Sequence, residues 1–284
     1  MKKILTLLLT LILGLTACLG LTACKEPEAN KPMIIDNLVL AEEQYGIAAK
    51  KGNDAFMSKI NEALIALAGD QMNSIANTYG LASEIAVTSS TVNPLANATD
   101  SSWNDLVSRG KVVIGYTIFA PIAYDVVNDV PTKGYDVDLA KAVFKYLNET
   151  YSVDIDVEFL KIEWSAKETY LTNGTIDLVW NGMTINAERL AGMCVSVPYL
   201  YNKQVAVIMS NDKDTFTDVA SMSSAIVGAE KGSAGEDIIS SQSIGGEYIQ
   251  CPSQLDAFNK LKAGTLQVIV IDSVMAGYYI SLEG

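Results

Sequence analysis

From Leu38 onward, short apolar runs alternate with longer stretches of helical spacing. Leu38-Val39-Leu40 and Tyr45-Gly46-Ile47-Ala48 are strand-like. Phe56, Ile60, Leu64 and Leu67 then recur at intervals of three or four, the mark of one helix face, with Asn53 placed to cap it. A second short helix over residues 75–79 ends at Gly80. Residues 81–100 have no period, are rich in Ser, Thr, Asn and Ala, and contain Pro94, so they read as a linker. After Trp103 the pattern predicts a strand at 112–115 and a helix at 138–148 with Leu139, Val143 and Leu147 on one face. A strand at 155–159, a helix at 166–173 and a strand at 176–180 follow. The strand at 205–209 leads to further strands at 225–228, 248–250 and 268–271, separated by helices starting near Gly235 and Ser253. Such alternation is the pattern of an α/β architecture.

Composition narrows the function. A chain of 284 residues suits one large domain or two lobes, and 49% hydrophobic content is ample for buried cores. The net charge of −13 argues against nucleic acid or an anionic membrane surface as partner, because both would repel it. There is no histidine. A Ser-His-Asp triad, an HExxH zinc site and a Cys-His dyad are therefore impossible. No motif calls for a cofactor or a metal.

The first residues form a different pattern. Met1-Lys2-Lys3 and the apolar run 4–15 read as an export signal. Leu15-Thr16-Ala17-Cys18 and Leu21-Thr22-Ala23-Cys24 each resemble the bacterial lipoprotein box, whose cysteine is lipidated. Cys24 is the preferred anchor, since polar Lys25 to Asn30 follow it, and Cys18 is the alternative. Residues 1–23 are then the signal peptide and 24–35 a tether. With two or more acyl chains the protein is held on the outer face of a cytoplasmic membrane.

Several motifs carry a family resemblance. They are Gly134-Tyr135-Asp136-Val137-Asp138-Leu139; Trp164-Ser165-Ala166-Lys167 with Gly174-Thr175-Ile176-Asp177; and Trp180-Asn181-Gly182-Met183-Thr184, running on through Glu188-Arg189 to Ser196-Val197-Pro198-Tyr199. Lys231-Gly232-Ser233-Ala234-Gly235-Glu236 and Ile271-Asp272-Ser273 complete the set. In this order they resemble the bacterial extracellular solute-binding proteins of family 3, the amino-acid-capturing components of ABC transporters. Residues 38–80 resemble the closing portion of that family, while its opening portion begins only at Gly110 (GKVVIGYTIFAPIAY). The resemblance implies a two-lobe periplasmic-binding-protein-like (type II) fold with a hinge, in circularly permuted order. Lobe 1 would be residues 49–204, containing the linker 81–100. Lobe 2 would be split into 36–48 and 205–284. A flexible linker of that length reaches on the order of 25 Å, enough to bridge the old termini. Cys194 and Cys251 fall in different lobes in this division and are expected as separate thiols.

A free amino acid presents a carboxylate and an ammonium on one carbon, so its site needs facing opposite charges. Arg189 offers a planar fork for the carboxylate. In isolation it would read as a surface arginine; its place just after Asn-Gly-Met-Thr favours the ligand role. Gly232-Ser233-Ala234 leads into a helix whose N–H groups could clamp the same carboxylate, although a glycine-serine turn is also an ordinary helix start. Asp272 follows an apolar strand, where α/β sheets bind ligands; it is placed to pair with the ammonium or, alternatively, to cap the next helix. Gly182 and Thr184 would add a carbonyl and a hydroxyl, within a binding run that includes Asn181 and Met183. By the resemblance, Phe119 covers the ligand side chain; Trp164 either joins it or is simply core. The family usually has an aromatic where Ile122 stands, and the loop before Phe119 is one residue short. Tyr116 and Thr117 are therefore expected to read the ligand side chain.

The implied function is capture of a free amino acid between two lobes and delivery to an ABC permease, by a monomer and without catalysis. Ligand contacts from both lobes would stabilise the closed state. A sensor domain working with a membrane signalling partner and a dehydratase-like enzyme on the same fold are the rivals.

Overall fold

The computed structural model describes residues 29–283. The export segment, the first residues of the tether and both lipidation candidates, Cys18 and Cys24, lie outside the described residues. β1 (Pro32–Lys50) is one strand of 19 residues where a tether end and two short strands were expected. Charged Asp36, Glu42 and Glu43 break its apolar pattern; its ladder with β8 is interrupted by bulges between Ile34 and Val39 and between Val39 and Ala41, and pairs again from Ala41 to Tyr45. Pro32 to Ile34 lie opposite Met209 to Val207, whereas Tyr45 to Ala49 lie opposite Thr184 to Leu178. β1 thus links two halves of one sheet.

α1 (Asp54–Leu67) and α2 (Asp70–Thr78) follow. Asn53 does not cap α1 with its side chain. The Ala55 N–H donates instead to the Asp100 carboxylate at 2.7 Å, and the Phe56 N–H to Ser102 Oγ at 3.0 Å. Residues 81–100 are more closely packed than their composition suggests. Leu81 and Val87 are buried, Ala86 N–H bonds the Tyr199 carbonyl, and the Asn93 side chain bonds Ser58 and Asn61. Few apolar residues suffice there because the polar groups find partners.

The chain continues through α3 (Ser102–Arg109), β2 (Lys111–Tyr116) and the hairpin of β3 (Tyr124–Val127) and β4 (Val130–Lys133) to α4 (Tyr135–Tyr151). β5 (Asp156–Lys161), α5 (Lys167–Thr172), β6 (Leu178–Thr184), α6 (Ala187–Gly192) and β7 (Met193–Val195) complete the first half. β8 (Leu200–Met209) crosses to the second half. There β9 (Ile226–Glu230), α7 (Ala234–Gln242), β10 (Glu247–Cys251), α8 (Gln254–Lys262), β11 (Val268–Asp272) and α9 (Ser273–Ser281) follow.

Among the described residues the sheet order is β10-β9-β11-β8-β1-β6-β2-β5, with β7 also on β1. β10, β9 and β11 run parallel, as do β6, β2 and β5, while β1 and β8 are antiparallel between them. Alternate residues sort the second-half core into two faces. Ala206, Ile208, Val227 and Val268 pack with Ile238 and Ile239 of α7, while Val205, Val207, Ile269 and Ile271 pack with Phe258 and Leu261 of α8. The first-half core joins α1, α2, α4 and β2, and it includes Tyr45, Ile47 and Ala49. Tyr45, Ile47 and Ala48, expected in lobe 2, therefore pack in first-half cores, and Pro32 to Ile34, expected as tether, pair with Met209 to Val207 of β8. Cys194 and Cys251 are free, buried and in different cores. No described helix is long and apolar enough to cross a membrane.

Candidate ligand-binding site

β6, β9 and β11 deliver their carboxyl ends to one place, the position where open α/β sheets bind ligands. A cavity there is lined by Thr117, Phe119, Trp164, Asn181, Gly182, Thr184, Arg189, Glu230, Ser233, Ala234, Gln254 and Asp272. Of the residues expected at the site, Met183, Tyr116 and Gly232 are not among them. Met183 would share a face with Asn181 in a regular strand, but Gly182 between them is left-handed, at φ of 62°, and Met183 turns into the core with Ala48, Val179 and Met193. Regular alternation separates Thr117, which lines the cavity, from Tyr116. The Tyr116 hydroxyl donates to the Asp129 carbonyl at 2.9 Å and its ring meets Phe159, so it does not read the cavity. Trp164 is both wall and core.

The cationic wall begins at α6. The Asn186 side chain caps this helix by accepting the Arg189 N–H at 2.9 Å. Arg189 is only 4% exposed; its guanidinium lies over the Trp164 ring at 5.9 Å and donates to the Thr184 carbonyl at 2.7 Å. It also reaches the Gly232 carbonyl of the other half at 3.4 Å. Lys167 Nζ meets that same carbonyl at 3.2 Å, and burial, with the Arg189 charge, pushes its pKa down to about 8. Of the expected N–H clamp, Gly232 already donates to the Glu236 carboxylate at 2.6 Å and Ser233 to the Glu230 carbonyl at 3.2 Å. Ser233 Oγ caps α7 by accepting the Glu236 N–H. Ala234, in the first turn where no intrahelical acceptor exists, is the remaining amide of the three.

The anionic wall is Asp272. It precedes α9 but makes no side-chain cap bond. Its carboxylate accepts from the Tyr45 hydroxyl at 2.6 Å, Asn202 at 2.6 Å, Gln204 at 2.9 Å and the Gln254 amide. Burial and then the Glu43 carboxylate, which shares the Asn202 and Gln204 donors, hold Asp272 well above the usual carboxylate range. The charge of a ligand ammonium would offset both effects. Glu230, at the end of β9, is also buried, and burial raises its pKa to about 8 against the opposing Lys167 charge and Gln254. Sequence reasoning missed Glu230 and Gln254. Neither carries a local signal; each reaches the cavity only through the meeting of β9 and α8.

Beneath the cavity sits Asp136, whose role the sequence did not reveal. It accepts the Gly182 N–H and the Tyr199 hydroxyl, both at 2.8 Å, and burial pushes its pKa up to about 7. The neighbouring Gly134 has φ of 136°, and a Cβ there would lie 2.1 Å from the Ile122 carbonyl oxygen, so only glycine fits. Gly182 is likewise left-handed, at φ of 62°. Asn181 donates to Thr117 Oγ1 at 2.8 Å, while its own buried Oδ1 has no partner among the described residues.

The model of the bacterial extracellular solute-binding proteins, family 3, matches residues 112–270, more than half of the chain. A probable histidine-binding protein of Neisseria gonorrhoeae is 33% identical over 86 residues, 30% of this chain and 30% of that protein. The ABC transporter arginine-binding protein 1 of Escherichia coli (strain K12) is 25% identical over 147 residues, 52% of this chain and 57% of the relative. This chain thus spans less than two thirds of the length of either curated relative. The crystal structure of an ABC uptake transporter substrate-binding protein from Streptococcus pneumoniae, with bound histidine, superposes with a TM-score of 0.58 at 32% identity. It covers 65% of this chain and 74% of that one.

Proposed function

This chain belongs to the bacterial extracellular solute-binding proteins of family 3, and from that membership we infer that it captures a free amino acid between its two lobes and hands it to an ABC permease. The observation that carries the reading is the facing of Arg189 and Asp272 across one cavity, each delivered by a different half of the sheet. A zwitterion satisfies both walls at once, and two-sided contact is what a closing hinge requires. The names of the relatives, histidine- and arginine-binding, support an amino acid as the ligand class. The reading is of binding without turnover.

Two further parts belong to this proposal. The lipid anchor at Cys24, or Cys18, rests on the N-terminal pattern and would hold the protein outside the cytoplasmic membrane. The permuted order rests on residues 38–80, whose β1, α1 and α2 complete the hinge and the first-half core. A thermal-shift screen of the common amino acids tests the central claim: a ligand at a hundred times its Kd should add about 2.7 kcal/mol of stability. Arg189→Ala and Asp272→Ala should abolish the shift, since losing one partner of a buried charge pair costs about 2–5 kcal/mol in binding. No shift with any amino acid, or full binding by either variant, would refute the reading.

A further inference from the structure

We propose that Glu230 is the residue that reads the ligand's side chain, and that it selects an amino acid with a cationic, hydrogen-bond-donating terminus. The inference rests on the amino-acid reading above and deepens it. Arg189 and Asp272 are matched by the α-carboxylate and α-ammonium, which leaves Glu230 as the further charged side chain lining the cavity. It is 5% exposed, and a carboxylate buried that deeply is retained at little cost only if something donates to it. A second acceptor points the same way: Asn181 Oδ1, on the cavity wall and 2% exposed, has no donor among the described residues. The surplus polarity of the cavity is therefore accepting, and a guanidinium, ammonium or imidazolium supplies several donors.

The groups facing Glu230 are Lys167 and Glu163 from the α5 side and Gln254 from α8. Gln254 Nε2 donates to Asp272 and also acts on Glu230, but it is a neutral donor and leaves the carboxylate's charge unmatched. Lys167 makes no ion pair within 4.0 Å and directs Nζ at the Gly232 and Trp164 carbonyls, at 3.2 and 3.5 Å. Lys167 thus leaves the carboxylate without a close cation among the described residues, and the charge of a ligand cation at that point opposes the rise that burial causes.

Calorimetric titration of the full chain, wild type and Glu230→Gln, against arginine, lysine, glutamine and leucine tests this. A cationic amino acid should bind the wild type about 10–100-fold more tightly than glutamine, the span of a charge-assisted hydrogen bond. Glu230→Gln should lose most of that factor while its glutamine affinity changes little. Equal loss for every amino acid would make Glu230 a structural partner of Lys167 and overturn the proposal, as would a wild type preferring a neutral ligand. A wild type that binds none of them, and that no common amino acid stabilises in the thermal-shift screen, overturns the amino-acid reading itself, a different result from either.

Discussion

Replacing Gly182 by alanine tests the local geometry of the site most directly. Gly182 adopts φ of 62°, and a left-handed conformation costs an L-residue with a Cβ about 1–2 kcal/mol. The added Cβ would stand 2.7 Å from Phe119 Cε1 and 3.1 Å from Tyr45 Cε2. Real contacts are not that short, so Phe119 or the backbone must shift, at a cost of about 1–3 kcal/mol for overpacking. The two terms together make about 2–5 kcal/mol, a large part of the 5–15 kcal/mol typical of a folded domain. The shift also has a direction. Tyr45 blocks one side of the Phe119 ring, which packs edge-on to it at 6.4 Å, so the ring is driven toward the cavity it lines. Equilibrium urea unfolding should show the loss as a lowered midpoint at unchanged slope. Titration with the amino acid found in the thermal screen should show weakened binding even at temperatures where the variant is fully folded. A stability change below about 0.5 kcal/mol, the range of neutral surface substitutions, with undiminished affinity would refute the placement of Gly182 between Phe119 and Tyr45.

Stability without ligand should fall as pH rises from about 4 toward 7. Asp136 is raised from 3.8 to about 7, so the folded state holds a proton that the unfolded state has released across that window; the stabilisation is complete below 3.8 and is lost as pH passes 7. The full effect is on the order of 4 kcal/mol, and Asp136→Asn should flatten the pH profile measured by urea unfolding; an unchanged slope would refute the assignment. Opening the chain within residues 81–100, and joining Gly284 to the region of Pro32 by a short flexible segment, should give a protein that folds and binds the same ligand with similar affinity. Contacts are preserved and loop-closure entropy varies slowly with length, so failure to fold in a refolding and binding assay would refute the permuted reading.

What the sequence determined by itself was local. The helix faces of α1 and α4, the apolar strand ahead of Asp272 and the glycine positions follow from periodicity and backbone sterics, which act over a few residues. Arg189 and Asp272 were candidates because an amino acid demands opposite charges and their motifs stand at strand ends; the fold brings both to one cavity. Tertiary structure alone decided the rest. β1 is one strand because β8 and β6 pair with it on either side of its bulges, and pairing partners distant in sequence leave no mark on polar residues such as Asp36, Glu42 and Glu43. The cap of α1 comes from Asp100, 45 residues away, rather than from adjacent Asn53. Tyr116 faces away because a strand turns successive side chains to opposite faces, and Met183 because left-handed Gly182 breaks the alternation it would share with Asn181; only packing fixes which face is the cavity. Glu230 and Gln254 entered it for the same reason: β9 and α8 converge on Asp272 only once the sheet is assembled, and burial by that assembly raises the Glu230 carboxyl to about 8.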